Sequence, residues 1–147
     1  MQMKIEDIEA DFALLENWED RYRYIIELGG MLAPYPEAAR DAAHKVRGCV
    51  SQVWLLCTAS GDKDDPVLHF KGDSDAHIVK GLIAIVLALY SGQKASAMRQ
   101  IDAFARLKRL GLEEHLTPQR SNGLRAMIGC IREEAEQKYL IKGKNSG

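Results

Sequence analysis

Apolar residues along the chain recur first with a helical period. Ile5, Ile8, Phe12 and Leu15 fall three and four apart, which predicts one stripe of an amphipathic helix. Asn17 is a preferred N-cap, and Trp18, Tyr22, Ile25 and Ile26 repeat the stripe in a second helix. The pair Gly29-Gly30 is expected to end that helix through the left-handed conformation glycine tolerates. Pro34 and Pro36 then make the chain turn-like, and residues 37 to 44 are alanine-rich enough for a short helix or a mobile connection.

The period then changes. Val50 to Thr58 reads V-S-Q-V-W-L-L-C-T, with apolar residues on both parities, as in a strand covered on both faces. A polar turn over Gly61 to Pro66 leads to a second strand, Val67 to Lys71, and the two are expected to pair as an antiparallel hairpin. Because an isolated hairpin is marginal in water, a third short strand is expected around Lys45 to Gly48. Asp75 is placed to cap an apolar helix from Ala76 to Tyr90, ended by Gly92. Short helices follow over 95 to 101 and 103 to 109, before Gly111. Thr117 as N-cap and Pro118 at the first helical position start a last helix through about Tyr139, with Leu124, Ile128, Ile131 and Ala135 facing inward. Without repeats, this order predicts one α+β domain over 1–147, a small antiparallel sheet packed against several helices. Its core spans about 5–139, and 141–147 reads as a frayed tail.

Composition narrows the function. The 147 residues are 46% hydrophobic and 28% charged, ordinary for a globular domain and unlike disordered or coiled-coil chains. Twenty Lys and Arg against twenty-one Asp and Glu leave a net charge of −1, so no bulk positive field favours nucleic acid. Met1 to Phe12 carries four acidic residues and lacks a signal-peptide apolar run, and Ile78 to Tyr90 is too short to span a bilayer. Cys49, Cys57 and Cys130 show no paired spacing of a disulfide framework or zinc knuckle. A reducing cytoplasm, with no membrane or nucleic-acid partner, is the expectation.

Among these cysteines, Cys49 stands apart. It follows Gly48 in a loop that enters the first strand, with Lys45 and Arg47 nearby to favour thiolate. The competing reading is an ordinary buried cysteine. Cys57 inside the strand and Cys130 between Ile128 and Ile131 read as core filling. Asp73 and Asp75 flank Ser74 in a loop placed to face Cys49, Asp75 reading as a helix cap and Asp73 as a solvated carboxylate. Arg120 sits unfavourably in the first turn of the last helix, which points either to a duty near Cys49 or to a salt bridge with a carboxylate such as Asp73. His44, His69, His77 and His115 form no spaced ligand set, and Trp54 and Tyr22 read as core. With Val46 and Val50 tucked inward, Cys49 is expected to be partly shielded and to emerge on docking. Burial would raise its pKa while Lys45 and Arg47 lower it, and the sequence does not rank the two.

The blocks G-C-V-S-Q-V-W at 48 to 54, G-D-S-D-A at 72 to 76, V-K-G-L-I-A at 79 to 84 and H-L-T-P-Q-R-S-N-G-L at 115 to 124 resemble the SufE family, as does N-W-E-D-R-Y-R-Y-I-I-E-L-G at 17 to 29. The likeness runs in order from about Phe12 to Ala135. It implies a SufE/IscU-like fold and a persulfide carrier without a cofactor of its own. Such a carrier serves a pyridoxal-phosphate cysteine desulfurase of the SufS or CsdA kind; CsdE, partner of the second, shares these blocks. By this resemblance Cys49 carries the persulfide, stimulates the desulfurase and relays sulfur to an iron–sulfur scaffold complex. Gly48, Ser51, Gln52, Asp73, Asp75 and Arg120 fall in the family's blocks as docking or loop-supporting residues, and a homodimer is compatible with it. The alternative is a metal-binding assembly scaffold of the IscU kind, which needs about three thiolate, histidine or carboxylate ligands to converge. A third reading is an adaptor that binds its partner without thiol chemistry.

Overall fold

The computed structural model describes the backbone of residues 3–146 and the side chains of residues 3–139. Helices α1 (Ile5–Leu14) and α2 (Trp18–Gly30) form where the stripes predict them, although Ile26 of the second stripe is exposed, and the Asn17 side chain caps α2 by accepting from the Asp20 N–H at 2.9 Å. Gly29 and Gly30 do not end α2 in the left-handed region, since neither has a positive φ. Gly29 instead makes room for α3 (His77–Tyr90). A Cβ there would lie 2.7 Å from the Gly81 nitrogen, and one on Gly81 would lie 2.0 Å from the Ile25 carbonyl oxygen. The two helices therefore cross backbone to backbone, with α3 as the central element: ten of its fourteen residues are buried.

Two 3-10 turns, Glu37–Ala39 and Ala42–His44, carry the chain to the sheet. Strands β1 (Val53–Ser60) and β2 (Val67–Ser74) pair antiparallel from Val53 opposite Ser74 to Ser60 opposite Val67. Two expectations shift here. Val50–Gln52 stays outside β1 as loop, and β2 runs three residues past Lys71, so Asp73 is a strand residue rather than a loop residue. The third strand is β3 (Gln93–Lys94), beside β2, whereas the region expected to supply it contributes one antiparallel bridge, Lys45 to Trp54, at the β1 edge. Short α4 (Ala95–Met98), α5 (Ala103–Arg109) and α6 (Leu112–His115) lead to α7 (Pro118–Ser146). The sequence reading missed α6, and the tail expected to fray continues α7 as helix to Ser146; Gly147 lies outside the described residues.

Leu124, Ile128, Ile131 and Ala135 of α7 are all buried against the core, as their spacing predicts. Trp54 and Tyr22 are corrections. Trp54 is only half-buried, and Tyr22 is 36% exposed on the outward side of α2, because the core-facing positions there are Ile25, Leu28 and Gly29. The α+β class stands: a three-stranded antiparallel sheet with helices around it.

Candidate functional site

Four elements meet around Cys49: its own loop, the start of β1, the N-terminal half of α3 and the first turns of α7. The loop is pinned at one end where the Val46 N–H donates to the Val53 carbonyl at 2.8 Å, with Val46 itself buried. At the other end Gln52 and Asp75 exchange two bonds. The Gln52 N–H donates to Asp75 Oδ1 at 3.0 Å, and the Asp75 N–H donates to the Gln52 carbonyl at 3.3 Å. Asp75 therefore ties down the Cys49 loop instead of capping α3. The cap residue is Ala76, and its N–H donates to Ser74 Oγ at 3.2 Å.

Between these ties Gly48 adopts φ +91, a left-handed conformation open to glycine. This turn aims Cys49 at α7, where its thiol donates to the Gly123 carbonyl with Sγ 3.6 Å from the oxygen. Gly123 packs directly against the thiol, since a Cβ there would stand 3.5 Å from Sγ, an ordinary van der Waals contact. The thiol opens into a cavity of about 230 Å³ whose apolar wall comes from Val53, Val79, Leu82 and Met127, with Arg120 at its polar side. Ser51 also lines it. Val50 does not tuck inward as expected; it is 80% exposed, so the shielding of half-buried Cys49 comes from α3 and α7.

The electrostatic balance is settled by burial. Desolvation pushes the Cys49 thiol above its ordinary pKa, and exposed Lys45 and Arg47 do not offset it. Arg120 is oriented toward α2. Its Nη1 donates to the Tyr22 hydroxyl at 3.2 Å, while its backbone N–H donates to Thr117 Oγ1 at 3.2 Å, the cap predicted for α7. The salt bridge considered between Arg120 and Asp73 is absent. Asp73, 9% exposed, pairs with Arg40 from the proline-rich connection and with Lys80 Nζ of α3 at 3.6 Å. Its carboxylate thus braces the segment leading into the Cys49 loop.

Cys57 and Cys130 are half-buried, and burial raises both thiols, Cys57 to about 11. Among the described residues no three His, Cys, Asp or Glu side chains converge as a metal site. His44 is held by Asp41, and His115 stacks on Trp18 with ring centroids 4.0 Å apart. Among the described residues no helix is long and apolar enough to cross a membrane. Sequence reasoning missed Gly123, Val79, Leu82 and Met127 as cavity residues, although Gly123 lies in the quoted R-S-N-G-L block.

The comparisons agree with this architecture. A family model described as SufE, Fe-S metabolism associated domain, matches residues 6–135. An uncharacterized SufE-like protein of Rhizobium meliloti is 56% identical over 132 residues, covering 90% of this chain and 94% of its own. Another from Rhizobium etli is 54% identical over 132 residues, covering 90% and 89%. In structure the chain is similar to a hypothetical protein from Thermus thermophilus solved in solution, with a TM-score of 0.70 at 21% identity over 93% of this chain and 96% of that one. That likeness concerns the fold alone, but the family match spans most of the chain, and the protein belongs to the SufE family of domains associated with Fe–S metabolism.

Proposed function

We propose that the protein is a sulfur acceptor: Cys49 takes the terminal sulfur of a persulfide on a pyridoxal-phosphate cysteine desulfurase and relays it to an iron–sulfur assembly complex in the cytoplasm. The observation that carries this reading is the thiol itself, the one cysteine on a loop, aimed by Gly48 into a cavity beside Gly123. In the transfer the Cys49 thiolate attacks the outer sulfur of the donor persulfide. A new S–S bond forms, the donor's S–S bond breaks, and the donor cysteine leaves as thiolate while Cys49 becomes the persulfide. The proton lost from the Cys49 thiol balances the one the departing thiolate takes up. No electron donor is consumed, and the pyridoxal phosphate belongs to the desulfurase. By clearing its product, the acceptor stimulates the desulfurase without being an enzyme.

Burial favours the neutral thiol of Cys49 and an apolar wall shields it while the protein is free, so docking that releases the loop raises the thiolate fraction. Gly48 is the hinge of this motion. Gln52 and Asp75 are its tie, Ser51 lines the cavity, and Asp73 braces the approach through Arg40. Arg120 waits at the cavity to meet an incoming anion.

Intact mass after incubation with a cysteine desulfurase and cysteine, without reductant, tests the reading. Wild type is expected to gain one sulfur and Cys49→Ser none. A gain in Cys49→Ser overturns it by placing the sulfur on Cys57 or Cys130, and no gain in wild type overturns it and leaves a non-covalent adaptor.

A further inference from the structure

The outward side of α2 holds an aromatic ring that the core does not use. Tyr22 is 36% exposed, and its hydroxyl accepts from Arg120 Nη1 at 3.2 Å across 98 residues of sequence. Arg120 stands in the first turn of α7, where the helix dipole disfavours a cation, and no carboxylate lies within ion-pair distance of it among the described residues. The guanidinium is therefore neither neutralised nor placed by its own helix. Arg120 nevertheless lines the same cavity as Cys49.

We propose that Tyr22 is a positioning residue that fixes the Arg120 guanidinium at the mouth of the Cys49 cavity, so that the thiol reacts preferentially with anionic sulfur donors. A deprotonated persulfide is such a donor, and this meaning rests on the sulfur-acceptor reading above. The geometry does not. An anion entering the cavity passes a cation held on one side, and its local concentration rises over that of a neutral molecule of the same size. Without the hydroxyl the long Arg120 side chain is free to take other rotamers in solvent, and the field at the cavity mouth is spread out and weakened.

Two alkylating probes of similar size read this field without any desulfurase. Iodoacetate is anionic and iodoacetamide neutral; with each, the Cys49 thiolate forms an S–C bond and iodide leaves. The ratio of their Cys49 rate constants, mapped by peptide mass at low ionic strength, isolates charge preference from exposure. A cation held a few ångströms away at a protein surface is worth about fivefold in this ratio. Arg120→Ala is expected to lose all of that preference and Tyr22→Phe most of it, and 1 M salt is expected to abolish it in wild type. A merely structural role for Tyr22 would move both rates together and leave the ratio fixed. A Tyr22→Phe ratio equal to wild type overturns the proposal, whether or not Arg120→Ala lowers it. If Tyr22→Phe lowers the ratio but wild type gains no sulfur from a desulfurase, the positioning role stands and the sulfur-acceptor reading falls.

Discussion

Replacing Asp75 by alanine removes the acceptor for the Gln52 N–H, a 3.0 Å bond at the end of the Cys49 loop, and leaves the 3.3 Å bond between Asp75 N–H and Gln52 carbonyl in place. A hydrogen bond of this kind stabilises by about 1 kcal/mol net. At 25 °C that multiplies the open-loop population about fivefold, since each 1.4 kcal/mol is a factor of ten. If opening is fast relative to modification, the rate at which neutral iodoacetamide labels Cys49 follows that population and also rises about fivefold. The assay is peptide mass mapping of Cys49 at neutral pH in limiting reagent, with Cys130 as the internal standard, since no bond of Asp75 reaches it. Had Asp75 been a helix cap, the same substitution would lower the melting temperature through α3 and leave labelling unchanged. A Cys49 rate within twofold of wild type refutes the loop-tie argument.

Two further outcomes follow from packing and titration. Gly81→Ala sets a Cβ 2.0 Å from the Ile25 carbonyl, so the α2–α3 crossing must separate; a loss of about 3 kcal/mol or more is expected in urea unfolding, against about 1 kcal/mol gained if the site were an open helix position. Burial raises the Cys49 thiol in the folded protein, so its labelling rate is expected to inflect above the ordinary cysteine pKa of about 8.5, and at about that value in urea. Cys57, raised to about 11, has the same sign: the stability its neutral thiol contributes is full below about 8.5 and lost as pH rises toward 11. Urea midpoints that hold flat from pH 8 to 11 would contradict it.

How much of this was legible beforehand depended on whether a residue's partners were near it in sequence. The helices α1, α2 and α7, and the buried stripes of α1 and α7, were readable because they are set by spacings of three and four within one helix. The place of Cys49 on a loop entering the first strand was readable because a glycine and a strand start coincide around it. Asp75 was misread because a carboxylate just before a helix is the ordinary cap, and only the fold brings Gln52 to within 3.0 Å of it. Asp73 was placed in a loop because G-D-S-D looks like a turn, yet β2 continues through it by pairing with Trp54 and Val53. Tyr22 was assigned to the core because its stripe with Ile25 and Ile26 is wider than the face α3 covers. The cavity wall on α3 and α7 was invisible for the same reason: Val79, Leu82 and Met127 carry no polar signal and are joined to Cys49 only in three dimensions.

The bond from Cys49 to the Gly123 carbonyl spans 74 residues, and that span bears on how the protein is made. Translation proceeds at about 5–20 residues per second, so α7 leaves the ribosome roughly 4–15 seconds after the thiol it will cover. Throughout that interval Cys49 lacks the Gly123 and Met127 side of its wall, although β1 and α3 have already been made, and is more open to oxidation and to passing disulfides than in the finished fold. Full cover of the thiol is thus a property of the finished chain, and a chain stalled before α7 carries Cys49 with one side of its wall missing.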